Sequence, residues 1–406
     1  MYLSTIDRRR TTRLTLVSAN VFALGAVSLV TDISSEMVTA VLPVYLMIGL
    51  HLSPAVYGVV DGTYTGATAL LRLVGGYVAD RTRKRKYVAG LGYALSAVAK
   101  LGLLAAGSAV GAIGAVIAVD RTGKGLRTAP RDALITLSTP PQYYGRAFGV
   151  HRMMDTIGAF AGPLVALGVL AATAQAYDAV FVTSFCIAAF GVLLLVLFVR
   201  DHQDEQPRKS TVAPAALAGL LRRAPVRRLV LAACLAGLVT IGDGFVYLLL
   251  QRREGLNVAW FPLLAVGTNL SYLLLATPLG VLADKVGRLK VVLAGYVALL
   301  AVYLLLFGPL GGWPLLVVVL ALYGVFYAST DGVLMALAGP VLPADLRTTG
   351  LALIQTGQAL AYVGSSVLFG LAWTVWGPAS ASRVAAALVA VAVVAVAVLL
   401  RGVGQK

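Results

Sequence analysis

Charge is scarce in this chain. Only 12% of its 406 residues are Asp, Glu, Lys or Arg, about half the share of an ordinary soluble domain, while 59% are apolar. A soluble protein of this length would form two or three domains and need polar surface for each. This sequence has too little, and lipid is the solvent it fits. Cysteine is nearly missing: Cys186 and Cys234 each sit inside an apolar run, which excludes a disulfide framework or a cysteine metal site and marks both as packing residues. With three histidines there is no histidine-rich metal site either. No G-x-x-x-x-G-K-S/T loop occurs, since Gly123-Lys124 is followed by glycine, so ATP hydrolysis within the chain is not expected. Neither an H-E-x-x-H zinc motif nor a serine nucleophile elbow is found. The expectation is therefore no enzyme, no cofactor and no metal. Alternating segments of about ten residues, the mark of a membrane β-barrel, are also lacking, which leaves α-helices to satisfy the backbone in hydrocarbon.

What is present is a succession of apolar runs. Stretches such as 181–199, 229–250 and 384–400 reach or approach the roughly 20 residues that cross a bilayer as a helix. Division at charges and at Gly or Pro clusters predicts spans at 16–49, 55–79, 87–107, 110–136, 147–171, 179–199, 229–250, 259–283, 290–308, 314–338, 348–372 and 382–400. The net charge of +16 does not imply nucleic acid, because the cations sit at the ends of apolar runs and form no basic domain with stacking aromatics. Placing Arg81, Arg83 to Lys86, Arg146, Lys285, Arg288, Lys290 and Arg347 on the cytoplasmic side satisfies the positive-inside rule. Both termini are then cytoplasmic in the inner membrane. Arg8, Arg9 and Arg10 precede a segment too long and too acidic at its centre for a signal peptide, so it is read as a retained first helix.

The only long polar segment, 200–228, divides the chain into an N-terminal six-helix bundle, 1–199, and a C-terminal one, 229–406, with a cytoplasmic connector between them. The halves repeat weakly. Gly76-Tyr-Val-Ala-Asp80-Arg81 aligns with Gly280-Val-Leu-Ala-Asp284-Lys285, 204 positions later, and Arg146-Ala-Phe-Gly149 aligns with Arg347-Thr-Thr-Gly350, 201 positions later. Duplication around a midplane site is a common plan among secondary transporters.

These residues resemble the major facilitator superfamily along nearly the whole chain. Gly75-Gly76-Tyr-Val-Ala-Asp80-Arg81-Thr-Arg83-Lys84-Arg85-Lys86 is similar to that family's signature between helices 2 and 3, and Asp284-Lys285-Val-Gly287-Arg288 to its second copy. Arg121 resembles the family's helix 4 arginine. Gly149, Gly158 and Gly162-Pro163 resemble a helix 5 motif linked to antiport, although Ala166 and Leu167 stand where two glycines often follow. Thr31-Asp32-Ile-Ser-Ser-Glu36-Met37 and the run from Asp120 to Ala133 look like a bacterial efflux-type subgroup. The resemblance implies an all-α membrane protein of twelve transmembrane helices in two pseudo-symmetric six-helix bundles, working as a monomer. It also implies that Asp80, Arg81 and Asp284 serve the gate. An acid at a helix end followed by loop cations can pair differently in two states.

An ionisable group at bilayer depth costs at least about 2.5–3.5 kcal/mol, so each needs a partner, a wet cavity or a function. Asp32 and Glu36 are four residues apart, on one helix face. Two carboxylates so close resist joint ionisation, which suits proton uptake and release. In helix 4, Asp120, Arg121, Lys124, Arg127, Arg131 and Asp132 fall within an arc of about 140°. That face either neutralises helix 1 or holds an anionic ligand. Arg121 and Lys124, the deepest, are substrate or coupling candidates; Arg127 is a candidate for either role; Arg131 and Asp132 fit the gate. His151 and Asp155 share a face of helix 5, placed to bind substrate, relay a proton or simply pair. Asp61 is a further coupling candidate and Gln355 a further substrate contact.

The first expected function is proton-coupled export of small organic molecules, with the bilayer, protons and a small-molecule substrate as partners. The second keeps the fold and makes the substrate an organic anion or anionic metal chelate. The third, a membrane receptor without transport, has less support.

Overall fold

The computed structural model describes residues 18–82, 84–140, 143–201, 219–343 and 346–402, apart from the side chains of 72–82 and 347–349. Asp80 and Arg81 therefore keep their backbone place at the end of a helix, but their side chains, like most of the 200–228 connector, lie outside the described residues.

Ser18 caps the first helix by accepting the Val21 amide at 3.4 Å. From there α1 (Ala19–Val44) passes Pro43 and ends in a π-turn, Tyr45–Gly49. Next come α2 (Pro54–Thr82), α3 (Arg85–Ala106), α4 (Val110–Leu137), α5 (Tyr144–Ala172) and α6 (Tyr177–Phe198), one for each expected span. The seventh span is two helices, α7 (Ala224–Leu238) and α8 (Asp243–Glu254), because Gly242 is extended at φ −61°, ψ 142°. After α9 (Phe261–Val286) and α10 (Arg288–Leu305) the tenth span is likewise divided, into α11 (Gly312–Thr330) and α12 (Val333–Ala338). There Gly332 takes φ 78°, which a residue with a Cβ rarely adopts. The backbone of α13 (Arg347–Leu399) runs through 53 residues, but Gly377 at φ 78°, ψ 165° splits it into limbs 347–376 and 378–399. The two final expected spans fall one on each limb.

Nine helical stretches among the described residues are long and apolar enough to cross a membrane, the last containing both limbs of α13. The helices α2 and α4 fall outside that set; α4 carries six charged residues between Asp120 and Asp132. With them, the twelve expected crossings are accounted for.

In lipid, helices associate by close packing more than by the hydrophobic effect, and small residues permit the approach. Within the first half α1 packs on α5 and α6, and α4 on α2 and α3. A Cβ on Gly92 or Gly123 would strike the other glycine's carbonyl, and one on Gly158 the carbonyl of Leu29. In the second half α11 packs on α9 and α10, and α7 on α13. The halves meet where α2 lies along α13 and α5 touches α9.

One end carries most of the basic loop residues; the other carries Arg252 and Arg253 beside Glu254. At the latter the halves are sealed: Gly58 abuts the Ser366 carbonyl, Gly370 abuts that of Pro54, and the Ala55 amide donates to Thr374 Oγ1 at 3.0 Å. Below that contact Phe245 packs against Tyr57 (4.7 Å between ring centres), Phe369 (5.0 Å) and Trp373 (5.6 Å). Toward the basic end the halves part around cavities.

Candidate functional site

Three adjoining cavities occupy the space between the halves. The one beneath the seal, about 200 Å³, is lined by Glu36, Asp61, Tyr64, Asp243, Tyr247 and Tyr362 among others. The second, about 460 Å³, is bounded by Asp32, Glu36, Lys124, Arg152, Asp155 and Asp331. The third, about 370 Å³, lies between α2, α4 and α13 and includes Arg121, Lys124 and Gln355. Glu36 and Asn269 belong to the first two, Tyr64 and Thr65 to the first and third, and Lys124 to the second and third. They form one central chamber.

The arginines of α4 are committed to acids within the first half. Arg121 is buried, ion-paired to Asp120 and stacked 3.6 Å from the Tyr64 ring centre. Asp120 also pairs with Lys100 Nζ on α3 at 3.2 Å and accepts from Ser96. Arg127 reaches Asp32 at 3.5 Å and lies over Tyr93. Arg131 pairs with Asp132 at 3.0 Å, donates to Ser28 Oγ at 3.0 Å, and approaches Asp155 to 3.8 Å. Of the two roles open to this face, neutralising neighbouring acids is the one that Arg121, Arg127 and Arg131 perform. Arg131, assigned to a gate by its position, ties α4 to α1 and α5. Asp132, its partner, is partly exposed.

Lys124 alone on that face makes no ion pair among the described residues, and its side chain enters two of the cavities. Glu36, also without an ion pair or hydrogen bond there, faces the first two. Asp32 and Glu36 share a helix face, yet the closer partner of Asp32 is Asp155 of α5, which its carboxyl group adjoins. Asp155 accepts from Ser28 Oγ at 2.6 Å and has Arg152 at 3.9 Å. Gln355 is exposed and lines the third cavity.

His151 shares the face of α5 that carries Asp155. It is buried, lines none of the three cavities, and its Nε2 has no hydrogen-bond partner among the described residues. Nor do three or more metal-ligating side chains gather among those residues. Asp284 pairs with Arg288 at 3.0 Å, and Arg288 donates to the Ala336 carbonyl at 2.6 Å. This copy of the loop signature is thus fastened inside the second half.

Asp61 is held by the other half: Tyr362 and Ser366 of α13 donate to its Oδ2 at 3.0 and 2.5 Å. Across from it Asp243, at the start of α8, accepts from Tyr323 at 2.7 Å and from Tyr327. Asp243, Asp331 and Arg152 line the cavities, and Lys100 supports the site, without having been site candidates from the sequence. The cost of charge at bilayer depth was the available signal for Asp243 and Lys100, the latter being the single charge at the centre of an apolar span.

The Major Facilitator Superfamily sequence profile matches residues 24–269 and 257–405. An uncharacterized MFS-type transporter of Methanocaldococcus jannaschii is 30% identical over 369 residues, covering 88% of this chain and 89% of that protein. An uncharacterized protein of Mycobacterium tuberculosis is 34% identical over 157 residues, 39% of this chain and 38% of its own length. Among solved structures, the nucleoside transporter NupG superposes with a TM-score of 0.79 at 15% identity, over 94% of this chain and 99% of that one. The peptide transporter POT in complex with sulfate does so at 0.74 and 16%, over 94% of each. Such identities speak for the fold alone; the profile and the archaeal relative carry the assignment, and on them this chain belongs to the major facilitator superfamily of secondary transporters.

Proposed function

We propose that the protein is a proton-coupled antiporter that exports small neutral or cationic organic molecules through the inner membrane. The basic end is cytoplasmic by the positive-inside rule, so the chamber is open inward and sealed outward. Residues 1–199 and 229–406 are the two units that rock about it, joined by the 200–228 connector.

The observation that carries this reading is the charge of the chamber. Once ion-paired groups are set aside, Glu36, Asp61, Asp243 and Asp331 remain against Lys124. A lining with surplus carboxylate favours protons and cationic or neutral solutes, and it disfavours the organic-anion alternative held by Arg121 and Lys124, for which Arg121 would have to leave Asp120. Asp32 and Asp155 are the coupling pair on the cytoplasmic side: two adjoining carboxyl groups hold one proton more easily than none. Export, as against uptake, is supported by the resemblance of the helix 1 and helix 4 stretches to an efflux-type subgroup and of the helix 5 glycines to an antiport-linked motif.

Proton flux in proteoliposomes under an imposed pH gradient tests the proposal, with panels of organic cations, neutral solutes and organic anions. A cation or neutral compound should dissipate the gradient in the wild type and fail to do so in an Asp32→Asn, Glu36→Gln variant. Dissipation by anions only would transfer the role of ligand anchor to Lys124 and overturn the substrate class. Equal flux in the variant would remove helix 1 from coupling.

A further inference from the structure

We propose that Asp61 and Asp243 form a like-charge spring across the two halves, which keeps the outer seal closed only while a proton is held between them. The proposal rests on the transporter reading above and adds a second proton site, on the extracellular side of the chamber.

The placement comes first. Asp61 lies on α2 and Asp243 on α8, in opposite halves, and both line the 200 Å³ cavity directly beneath the seal. A side chain added at Gly242, the residue before Asp243, would collide with the Asp61 carboxylate. The α7–α8 break therefore brings the two acids into one cavity, within Coulombic reach. The remaining charged residue lining this cavity is a third acid, Glu36.

The groups that face the pair are hydroxyls. Tyr362 and Ser366 of α13 donate to Asp61, and Tyr323 and Tyr327 of α11 donate to Asp243; Tyr57 and Tyr64 of α2, Tyr247 of α8 and Asn269 of α9 complete the wall. No lysine or arginine is among them. Removing a carboxylate from water without a cation costs several kcal/mol, and two facing carboxylates repel strongly in a medium of low dielectric. Hydroxyl donors ease this for one anion but do not cancel repulsion between two. The closed seal, with α2 against α13 and Phe245 against Tyr57, is compatible with the pair only when at least one carboxyl group is protonated.

The sequence of events follows. In the outward-open form a proton from outside binds a carboxylate oxygen of the pair, the repulsion ends, and the halves close. In the inward-open form the same cavity continues through Glu36 and Asn269 into the larger one, so the proton leaves toward the cytoplasm by way of the helix 1 acids. The pair left charged then drives the outer end apart. Neither acid needs to touch the exported solute.

The test requires no substrate. Spin labels on cysteines replacing Ser108 and Trp313, exposed at the outer ends of opposite halves, report separation in purified protein lacking Cys186 and Cys234. In the wild type the distance should be short at acid pH and shift to a longer population as the pH rises. Asp61→Asn and Asp243→Asn should each hold the short distance at every pH, because the pair that spans the halves is then reduced to one charge; Asp178→Asn, exposed in the first turn of α6, should keep the wild-type response. Should either aspartate variant fail to fold, the other carries the test alone. A pH-dependent opening that survives the double Asp61→Asn, Asp243→Asn variant would overturn the proposal, and so would a wild type with no pH response. A spring that behaves as expected in a protein showing no solute-driven proton flux would instead sink the coupling reading and leave the spring standing.

Discussion

At the residue scale, Asp120 is the node of the first half. It serves Lys100, Arg121 and Ser96 at once, with Lys100 and Arg121 almost fully buried. Breaking a buried pair by removing one partner strands the other's charge, at about 3–5 kcal/mol. Asp120→Asn should therefore lower the thermal stability of the detergent-solubilised protein by an amount of that order, whereas Lys100→Met, which leaves Arg121 its acid, should cost less. Lys124 is the opposite case. Its ammonium group faces the chamber without an ion pair, so Lys124→Gln should leave stability within about 0.5 kcal/mol of the wild type while changing solute-driven proton flux. A large stability loss from Lys124→Gln would mean that the cation has a structural partner and does not belong to the transport path. The sequence showed which face of α4 is charged, because helical geometry fixes that. It did not show which cations are spent on acids, because that depends on what α1, α3 and α5 present from elsewhere in the chain.

At the scale of the element, the number and order of the spans were legible because hydropathy and charge register a helix long enough to cross lipid. The breaks were not. The runs 229–250 and 314–338 are apolar almost throughout, and hydropathy is blind to a backbone that stops being helical at Gly242 or Gly332 within them. Those breaks matter, since the first places Asp243 beside Asp61. The glycines of α5 were legible as a motif but not as individual contacts. Gly158 meets the Leu29 backbone of α1, and Gly162 meets Glu36 and the Ile33 carbonyl, whereas Gly168 has open space around it. Backbone cannot yield as a flexible side chain does. Gly158→Ala should thus push α1 and α5 apart and cost about 1–3 kcal/mol, the usual penalty of overpacking, while Gly168→Ala should be neutral or stabilise by up to about 1 kcal/mol through helix propensity. Thermal unfolding of the two variants side by side decides it; equal effects would show that the motif glycines are not packing residues.

For the whole molecule, a two-half plan is what the sequence suggests, through a repeat of loop motifs about half a chain apart, since duplication would preserve the turns that link helices. The state of the chamber was not legible, because the same sequence must close at either end in turn. Closure here runs along the packed faces of α2 and α13, with Ala55 and Thr374 hydrogen-bonded at the rim and Gly58 and Gly370 set against backbone further along. If rocking of the halves is the transport motion, fixing this rim must stop it without blocking access from the cytoplasm. Cysteines at both Ala55 and Thr374, in protein lacking Cys186 and Cys234, should be linked by a short bifunctional thiol-reactive cross-linker, such as a bis-maleimide, under conditions that hold the outer end shut. Solute-driven proton flux should then fall to the level of empty liposomes, while solute still binds from the cytoplasmic side. A disulfide formed by oxidation should do the same and be reversed by reductant. Flux that continued through the linked protein would mean that the outer seal opens elsewhere, by local movement of α8 and the first turns of α9, with α2 and α13 held together throughout the cycle.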